Sequence, residues 1–248
     1  MSDPTLAYLH RRFLARRLLR GVSPGRFLEV GVGRGKFYED LLHLGFAGLC
    51  LDLNPTLIAQ QTSECRFPAD RVQFASTNFF SLDQKFKLLI AFEVLEHYQE
   101  DLACIRKWRS LLDRQGALLF SVPAHVRHWT ENDDRAGHAR RYEKLELAEK
   151  LNQCGFQVEQ ICCYGFPLLN VTYPLSSRLL AQPPKSFEAT DNDPLMTDFC
   201  KTAQSGDRHL PFSGWIFDER LWLPWLHLQR LFLDGDHGTG YIVKCQAI

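Results

Sequence analysis

Short runs of apolar residues alternate with amphipathic stretches from residue 26 to residue 163, and one further apolar run lies near the C-terminus. The runs have the length of buried strands, and the stretches between them repeat their apolar positions with helical periodicity. Strands are predicted at 26–30, 47–51, 72–75, 87–91, 116–122, 157–163 and 240–245. Helices are predicted at 5–20, 36–44, 56–64, 143–152 and over the stretch that ends near residue 112. This alternation predicts an α/β fold with a doubly wound, mostly parallel sheet.

Residues 165–237 interrupt the alternation. Their middle, 182–213, is polar and rich in proline, and apolar segments flank it on both sides. We therefore divide the chain into a core of residues 1–164, a substrate-covering cap of residues 165–237 and a final core strand within residues 238–248. Two other roles for residues 165–237 stay open: a purely structural insertion, or a contact between subunits. The sequence pattern does not indicate an oligomeric state.

The predicted helix at 5–20 carries several arginines around its apolar positions. Basic amphipathic helices can lie on a membrane surface or resemble a transit peptide. Because the first strand follows within a few residues, we interpret this segment as the leading helix of the domain, and peripheral membrane contact stays an alternative.

The charge balance, the hydropathy and the cysteines argue against a nucleic-acid-binding, membrane-spanning or disulfide-rich protein. The chain has 29 basic and 29 acidic residues, so no net field attracts nucleic acid. No apolar run reaches the roughly 18 residues of a membrane span, and no signal-peptide core is present. The eight cysteines include no C-x-x-C pair, which favours reduced, buried thiols over a disulfide framework or a zinc site. We expect a cytoplasmic protein.

Residues 28–37, LEVGVGRGKF, join the first predicted strand to a helix through three glycines at alternate positions. Such a loop lets a ligand approach the main chain, and the helix that follows directs its N-terminal amides at that ligand. The spacing differs from the dinucleotide fingerprint G-x-G-x-x-G. Asp52, at the end of the next strand, lies about where an acid meets ribose hydroxyls in a βαβ unit. A structural glycine turn is the alternative.

This loop, with Glu29 before it and Asp52 after it, resembles motif I and the following acid of class I S-adenosylmethionine-dependent methyltransferases. The resemblance covers roughly residues 26–163 and the last strand, and implies a Rossmann-like seven-stranded sheet with S-adenosylmethionine as cofactor. It implies that the first acid and the loop hold the methionine end, that the second acid holds the ribose, and that Asn78 meets the adenine. Lys87 stands where the family usually has an aspartate, so no role is transferred to it. The cofactor-binding residues expected are Glu29, Gly31, Gly33, Gly35, Asp52, Leu53, Asn78, Phe79 and Phe92.

The sequence EVLEH follows the fourth predicted strand, at residues 93–97. If a helix begins there, Glu93, Glu96 and His97 share one face and can form half of a metal site. EVLEH together with His138 resembles the metal site of small-RNA 3′-end 2′-O-methyltransferases, and EVLEH alone is similar to polyprenyl catechol O-methyltransferases. The resemblance implies Mg²⁺ or Mn²⁺ bound by Glu93, Glu96, His97 and His138. EVLEH also occurs in relatives with no known metal, where His138, His97 or Glu93 is the candidate catalytic group.

Arg140, Arg141 and Tyr142 follow His138 and form a basic cluster. They are candidates to hold a phosphate or carboxylate of the acceptor, and pairing with Glu143 and Glu146 is an equal alternative.

The function predicted is S-adenosylmethionine-dependent methyl transfer to oxygen of a small-molecule or lipid-like acceptor, assisted by a divalent metal if the EVLEH site binds one. RNA 2′-O-methylation is a rival that the neutral charge counts against. Transfer to nitrogen or carbon with a histidine base is a second alternative. A non-catalytic, cofactor-binding regulatory module is a third.

Overall fold

The computed structural model describes residues 5–172 and 219–248. The strands are β1 (Arg26–Val30), β2 (Ala47–Asp52), β3 (Val72–Ser76), β4 (Phe86–Phe92), β5 (Leu112–Pro123), β6 (Phe156–Tyr164) and β7 (Gly240–Ala247). The α-helices are α1 (Leu6–Leu18), α2 (Phe37–His43), α3 (Pro55–Glu64), α4 (Asp101–Leu111), α5 (Glu131–Ala136), α6 (Lys144–Gln153) and α7 (Glu219–Leu228). Residues 168–172 are also helical.

The strands form one seven-stranded sheet in the order β3-β2-β1-β4-β5-β7-β6. All neighbouring pairs are parallel except those of β7, which lies antiparallel between β5 and β6. The doubly wound fold predicted from the sequence is therefore confirmed. In such a sheet, ligands bind at the carboxyl ends of the parallel strands, and the chain order reverses between β1 and β4.

Both faces of the sheet are buried, and successive residues of a strand pack alternately against one face and the other. In β1, Leu28 packs in one apolar cluster and Phe27 in the other; in β4, Leu89 and Leu88 divide in the same way. Helices α4 and α6 cover the first face, and α1, α2 and α3 cover the second. A strand that is buried on both faces is apolar at nearly every position, and this is why these strands could be predicted from the sequence.

The observed boundaries differ most at β5, which was predicted at 116–122 and extends over Leu112–Pro123. Leu112 pairs with Phe86, and a register shift then separates this pair from the regular ladder that starts at Ala117. Gln115 takes a φ of 63° within this irregular part, so the extension does not follow the alternating pattern that predicts strands.

Helix α1 packs against the sheet rather than standing apart from it. Thr5 caps its N-terminus, and Leu9, Leu14 and Ala15 are almost fully buried. This packing supports the interpretation of α1 as the leading helix of the domain, which stays a prediction. None of the helices within residues 5–172 and 219–248 combines the length and the apolar character needed to cross a bilayer.

Residues 182–213, the polar and proline-rich middle of the predicted cap, lie outside the described residues. The adjoining helix α7 contains Pro224 and exposes Leu221, Leu223 and Trp225. After it, Gln229 is fully buried and accepts a hydrogen bond from His10 of α1 at 2.8 Å. The C-terminal part of the predicted cap is thus attached to the core, and its role as a cap stays a prediction.

Candidate active site

The glycine loop leaves β1 at the position where the chain order of the sheet reverses. Gly31 has a φ of 69°, and a side chain there would meet a methyl group of Val94 at 2.8 Å. Gly33 has a φ of 53°, and its N–H donates to the Asp52 carboxylate at 3.1 Å. The loop needs glycine at these two positions because L-residues rarely adopt this backbone, and at Gly31 also because Val94 lies close.

The two predicted cofactor acids differ in their surroundings. Glu29 is 3 % exposed, and burial raises the pKa of its carboxyl, an effect that the backbone N–H of Tyr38 at the start of α2 partly offsets. Burial also raises the pKa of Asp52, although this carboxylate accepts hydrogen bonds from the N–H groups of Gly33 and Asn54. Both acids lie at the strand ends beside the glycine loop, as the sequence predicted.

Helix α1 contributes a residue to this loop that the sequence did not indicate. The Tyr8 hydroxyl donates to the carbonyl oxygen of Gly35, and the Tyr8 ring lies where a side chain at position 35 would have to go. Tyr8 is 9 % exposed and held by the core of the domain. Nothing in the helical pattern of 5–20 distinguishes this tyrosine from an ordinary core residue.

The residues predicted near the adenine differ in their burial and in their contacts. Asn78 is buried after β3, and its side-chain oxygen accepts from the N–H of Phe80, so it caps a short 3₁₀ helix. Phe79 is 2 % exposed, stacks on Phe80 and belongs to the core. Phe92 is half-buried and meets Phe37 edge to face, and Leu53 is half-buried beside Asp52.

The EVLEH segment does not begin a helix at Glu93, so the predicted shared helical face is wrong. Glu93 has a φ of 55°, in the left-handed region, and a 3₁₀ helix covers only Leu95–His97. This turn directs the Glu93 carboxylate toward Arg11 of α1, at 2.8 Å, and toward the Ser121 hydroxyl of β5, at 2.8 Å. Burial alone would raise the pKa of Glu93, but Arg11 and Ser121 more than offset this and lower it.

Glu96, His97 and His138 come together as predicted, without Glu93. One ligand atom from each lies within 4.8 Å of the others; we call these three residues the Glu96 cluster. Glu96 is fully buried, and neither of its carboxylate oxygens has a hydrogen-bond partner among the described residues. Burial, followed by the neighbouring Glu93 carboxylate, raises the pKa of Glu96 well above its usual range.

The two imidazoles of the Glu96 cluster are oriented by their Nδ1 atoms. Nδ1 of His97 lies 3.4 Å from the carbonyl oxygen of Gly137, and Nδ1 of His138 lies 2.9 Å from the Asp133 carboxylate. Because a carbonyl and a carboxylate only accept, Nδ1 carries the proton in both rings. Nε2 of His138 then presents its lone pair 3.9 Å from Glu96 Oε1. Burial, and next the nearby His138, lower the pKa of His97 to about 4.

Asp133 is the support of His138, and the sequence reasoning missed it. It is fully buried and receives two hydrogen bonds from Arg141, both at 2.9 Å, besides those from Thr130. Burial would raise the pKa of Asp133, but the bonds from His138 and Arg141 outweigh it and hold the pKa below its usual range. The capping pattern Thr130-x-x-Asp133 at the start of α5 was the one available signal.

The basic residues after His138 make hydrogen bonds and ion pairs with other residues of the protein. Arg141 is 4 % exposed and is bound to Asp133, and Arg140 donates to Asp101 at 3.1 Å. Tyr142 is fully buried, with its hydroxyl 3.3 Å from Asp101. The predicted pairing with Glu143 and Glu146 is therefore wrong within the described residues, and the role of holding an acceptor group stays a prediction.

A family model described as a methyltransferase domain matches residues 5–161, which include the glycine loop, Asp52 and the whole Glu96 cluster. The chain belongs to this methyltransferase family. It is an S-adenosylmethionine-dependent methyltransferase, and a search of curated protein sequences finds no significant match.

Solved structures share the fold at low sequence identity. Magnesium protoporphyrin IX methyltransferase from Synechocystis, with bound S-adenosylhomocysteine, is 20% identical with a TM-score of 0.55, covering 64% of this chain and 78% of its own. The N-methyltransferase NodS from Bradyrhizobium japonicum is 14% identical with a TM-score of 0.54, covering 98% and 97%. A methyltransferase from Mesorhizobium loti is 14% identical with a TM-score of 0.55, covering 94% and 96%. At these identities the likeness establishes the fold alone.

Proposed function

We propose that this methyltransferase transfers the methyl group to an oxygen atom of a small-molecule or lipid-like acceptor. A divalent cation, Mn²⁺ or Mg²⁺, is bound by Glu96, His97 and Nε2 of His138; in the metal-free alternative the same Nε2 acts as the general base, since one lone pair cannot serve both purposes. One observation carries the proposal: Nε2 of a largely buried, oriented histidine faces a buried carboxylate that has no hydrogen-bond partner among the described residues.

The cofactor would occupy the carboxyl edge of β1 and β2. There the glycine loop and Glu29 are suited to the methionine end, and Asp52 to the ribose hydroxyls. Asn78 stays the candidate for the adenine edge, with Leu53 and Phe92 beside the loop. Phe79 is packed in the core, so we do not include it among the residues that contact the cofactor.

The Asp133–His138 pair suits His138 to both alternatives. The Asp133 carboxylate fixes the tautomer that leaves Nε2 free to bind the cation, and in the metal-free alternative it stabilises the imidazolium that forms when Nε2 takes a proton. Arg141 holds this carboxylate in place through two hydrogen bonds. Asp133 is therefore a positioning residue rather than one that touches the acceptor.

The donor set of the Glu96 cluster fits a divalent cation. A buried carboxylate without a partner is costly, and a cation bound to it removes that cost. Two imidazoles and one carboxylate suit Mn²⁺ better than Mg²⁺, which prefers oxygen ligands throughout. Such a cation would bind an acceptor hydroxyl and lower its pKa. Glu93, paired with Arg11, remains ionised at neutral pH and would serve as a fixed negative charge beside the acceptor.

Methyl transfer from labelled S-adenosylmethionine to a panel of catechols, vicinal diols and phenols tests the proposal. We expect turnover that falls at least about 100-fold in His138→Asn and that is unaffected in His43→Asn, a change on the exposed side of α2. We also expect chelator to lower turnover and Mn²⁺ to restore it. Equal activity in His138→Asn and wild type would refute both roles of His138, and turnover that chelator leaves unchanged would refute the metal but not the base. Cofactor binding with no turnover of any acceptor would favour the regulatory alternative.

A further inference from the structure

A second group of metal-binding side chains lies on the other half of the sheet edge, outside the Glu96 cluster. His125 follows β5, Cys163 lies near the end of β6, and Asp236 lies in the loop before β7. One ligand atom from each lies within 4.8 Å of the others. Nε2 of His125 is 3.9 Å from the Cys163 sulfur and 3.6 Å from Asp236 Oδ1. These contacts are too long for strong hydrogen bonds.

Each of the three side chains is held by a further polar group. Nδ1 of His125 lies 3.2 Å from the Glu143 carboxylate, so it carries the proton and Nε2 presents its lone pair to the cluster. The N–H of Gly238 donates to the Cys163 sulfur at 3.1 Å. The Tyr241 hydroxyl donates to Asp236 at 2.6 Å. A carboxylate behind a histidine and an N–H aimed at a sulfur are the usual outer contacts of metal ligands.

We propose that His125, Cys163 and Asp236 bind one Zn²⁺ ion. Zinc bonds of about 2.3 Å to sulfur and about 2.0 to 2.1 Å to nitrogen and oxygen place tetrahedral ligands about 3.6 Å (S to N) and about 3.3 Å (N to O) apart. The observed separations of 3.9 and 3.6 Å exceed these by about 0.3 Å, which small side-chain rotations can close. His125 and Cys163 are each 1 % exposed, whereas the Asp236 side chain is 46 % exposed. The fourth position is therefore open to water from the side of Asp236.

Binding of the ion must displace the thiol proton of Cys163 into solvent. Because the ion competes with this proton, zinc affinity is expected to rise with pH. The bound ion would connect β5, β6 and the loop that leads into β7. Because β7 lies between β5 and β6, this link would stabilise the last strand of the sheet.

Cobalt substitution tests the site with a readout specific to the thiolate. Full-length protein is stripped with chelator and titrated with Co²⁺ in a Glu96→Gln background, which disables the other cluster. We expect one equivalent of Co²⁺ with a sulfur-to-metal charge-transfer band in the near ultraviolet. The band should disappear in Cys163→Ser and persist in Cys162→Ser, since Cys162 is the adjacent buried cysteine and packs on the opposite face of the sheet.

Two milder variants keep the test independent of folding. Glu143→Gln, at a half-exposed side chain, should weaken Zn²⁺ binding about 10- to 100-fold, and Asp236→Asn should weaken it as well. Weaker Zn²⁺ binding in both variants, with unchanged circular dichroism, supports the site. A cobalt spectrum without the charge-transfer band, or equal Zn²⁺ affinity in Cys163→Ser and Cys162→Ser, would overturn it.

Discussion

Glu96→Gln is expected to stabilise the metal-free protein at neutral pH while removing its affinity for Mn²⁺. Glu96 is fully buried and its carboxylate has no hydrogen-bond partner within the described residues. Burial and the nearby Glu93 charge therefore raise the pKa of Glu96 well above its ordinary value of 4.5. Glutamine has the same shape and never ionises, so it avoids the cost that a negative charge meets at this position.

The size of the effect follows from proton linkage. The unfolded chain loses the Glu96 proton near pH 4.5, whereas the folded chain retains it to higher pH. Between the two pKa values the unfolded state binds fewer protons, so the free energy of unfolding of the wild type falls by about 1.36 kcal/mol per pH unit. Relative to Glu96→Gln, the wild type therefore loses stability at up to this slope over each pH unit above about 5 in which the folded state keeps Glu96 protonated. Titration of His97 is common to both proteins and cancels in the difference.

Urea denaturation in the presence of chelator, at about pH 5, 6 and 7, measures this difference. Glu131→Gln, at an exposed carboxylate of α5, is the matched control and should change stability by less than about 0.5 kcal/mol throughout. Saturating Mn²⁺ should stabilise the wild type by mass action and leave Glu96→Gln unchanged. A difference between wild type and Glu96→Gln that does not grow with pH would refute the reasoning, because it would mean that the Glu96 charge is compensated within the protein itself.

Two further predictions concern helix α1. In Arg11→Met the Glu93 carboxylate loses the positive charge that lowers its pKa. The acidic side of the pH profile of kcat/KM should therefore move to higher pH. If it does not move, the ionisation of Glu93 does not matter to turnover. In Gly35→Ala the new methyl group meets the Tyr8 ring, which should cost about 1–3 kcal/mol of stability and weaken binding of S-adenosylhomocysteine measured by calorimetry. The loss in stability should shrink when the alanine is introduced into Tyr8→Ala, and equal losses in both backgrounds would contradict the contact.

The sequence predicted the sheet well because each of its central strands is buried on both faces. The run that becomes β4 is apolar at nearly every position, and it was located to within one residue at each end. The glycine loop and Asp52 were also predicted to lie together, since the carboxyl ends of adjacent parallel strands meet at one edge. These features depend on local pattern and on the general geometry of parallel sheets.

The details of the Glu96 cluster depend on contacts that no local pattern records. A single residue with positive φ, Glu93, interrupts the helical spacing that the sequence suggested and directs its carboxylate to α1. Arg11 lies 82 residues before Glu93 in the chain, and one arginine of a basic helix looks like any other. Asp133 and Arg141 form their buried pair only after the loop between them folds back on itself.

The carboxylates along the edge of β1, β4 and β5 indicate where an added cation would act. Glu29 is met by a backbone N–H of α2, Glu93 by Arg11 and Ser121, and Asp133 by Arg141 and His138. Glu96 is as buried as any of them and, within the part of the chain that the structure describes, receives no donor. An unpaired charge in such a position costs several kcal/mol, and the two imidazoles beside it are neutral ligands rather than partners of opposite charge. Glu96 avoids this cost either by staying protonated, as its raised pKa allows, or by binding a cation, which is why the proposed metal-dependence rests on this one residue.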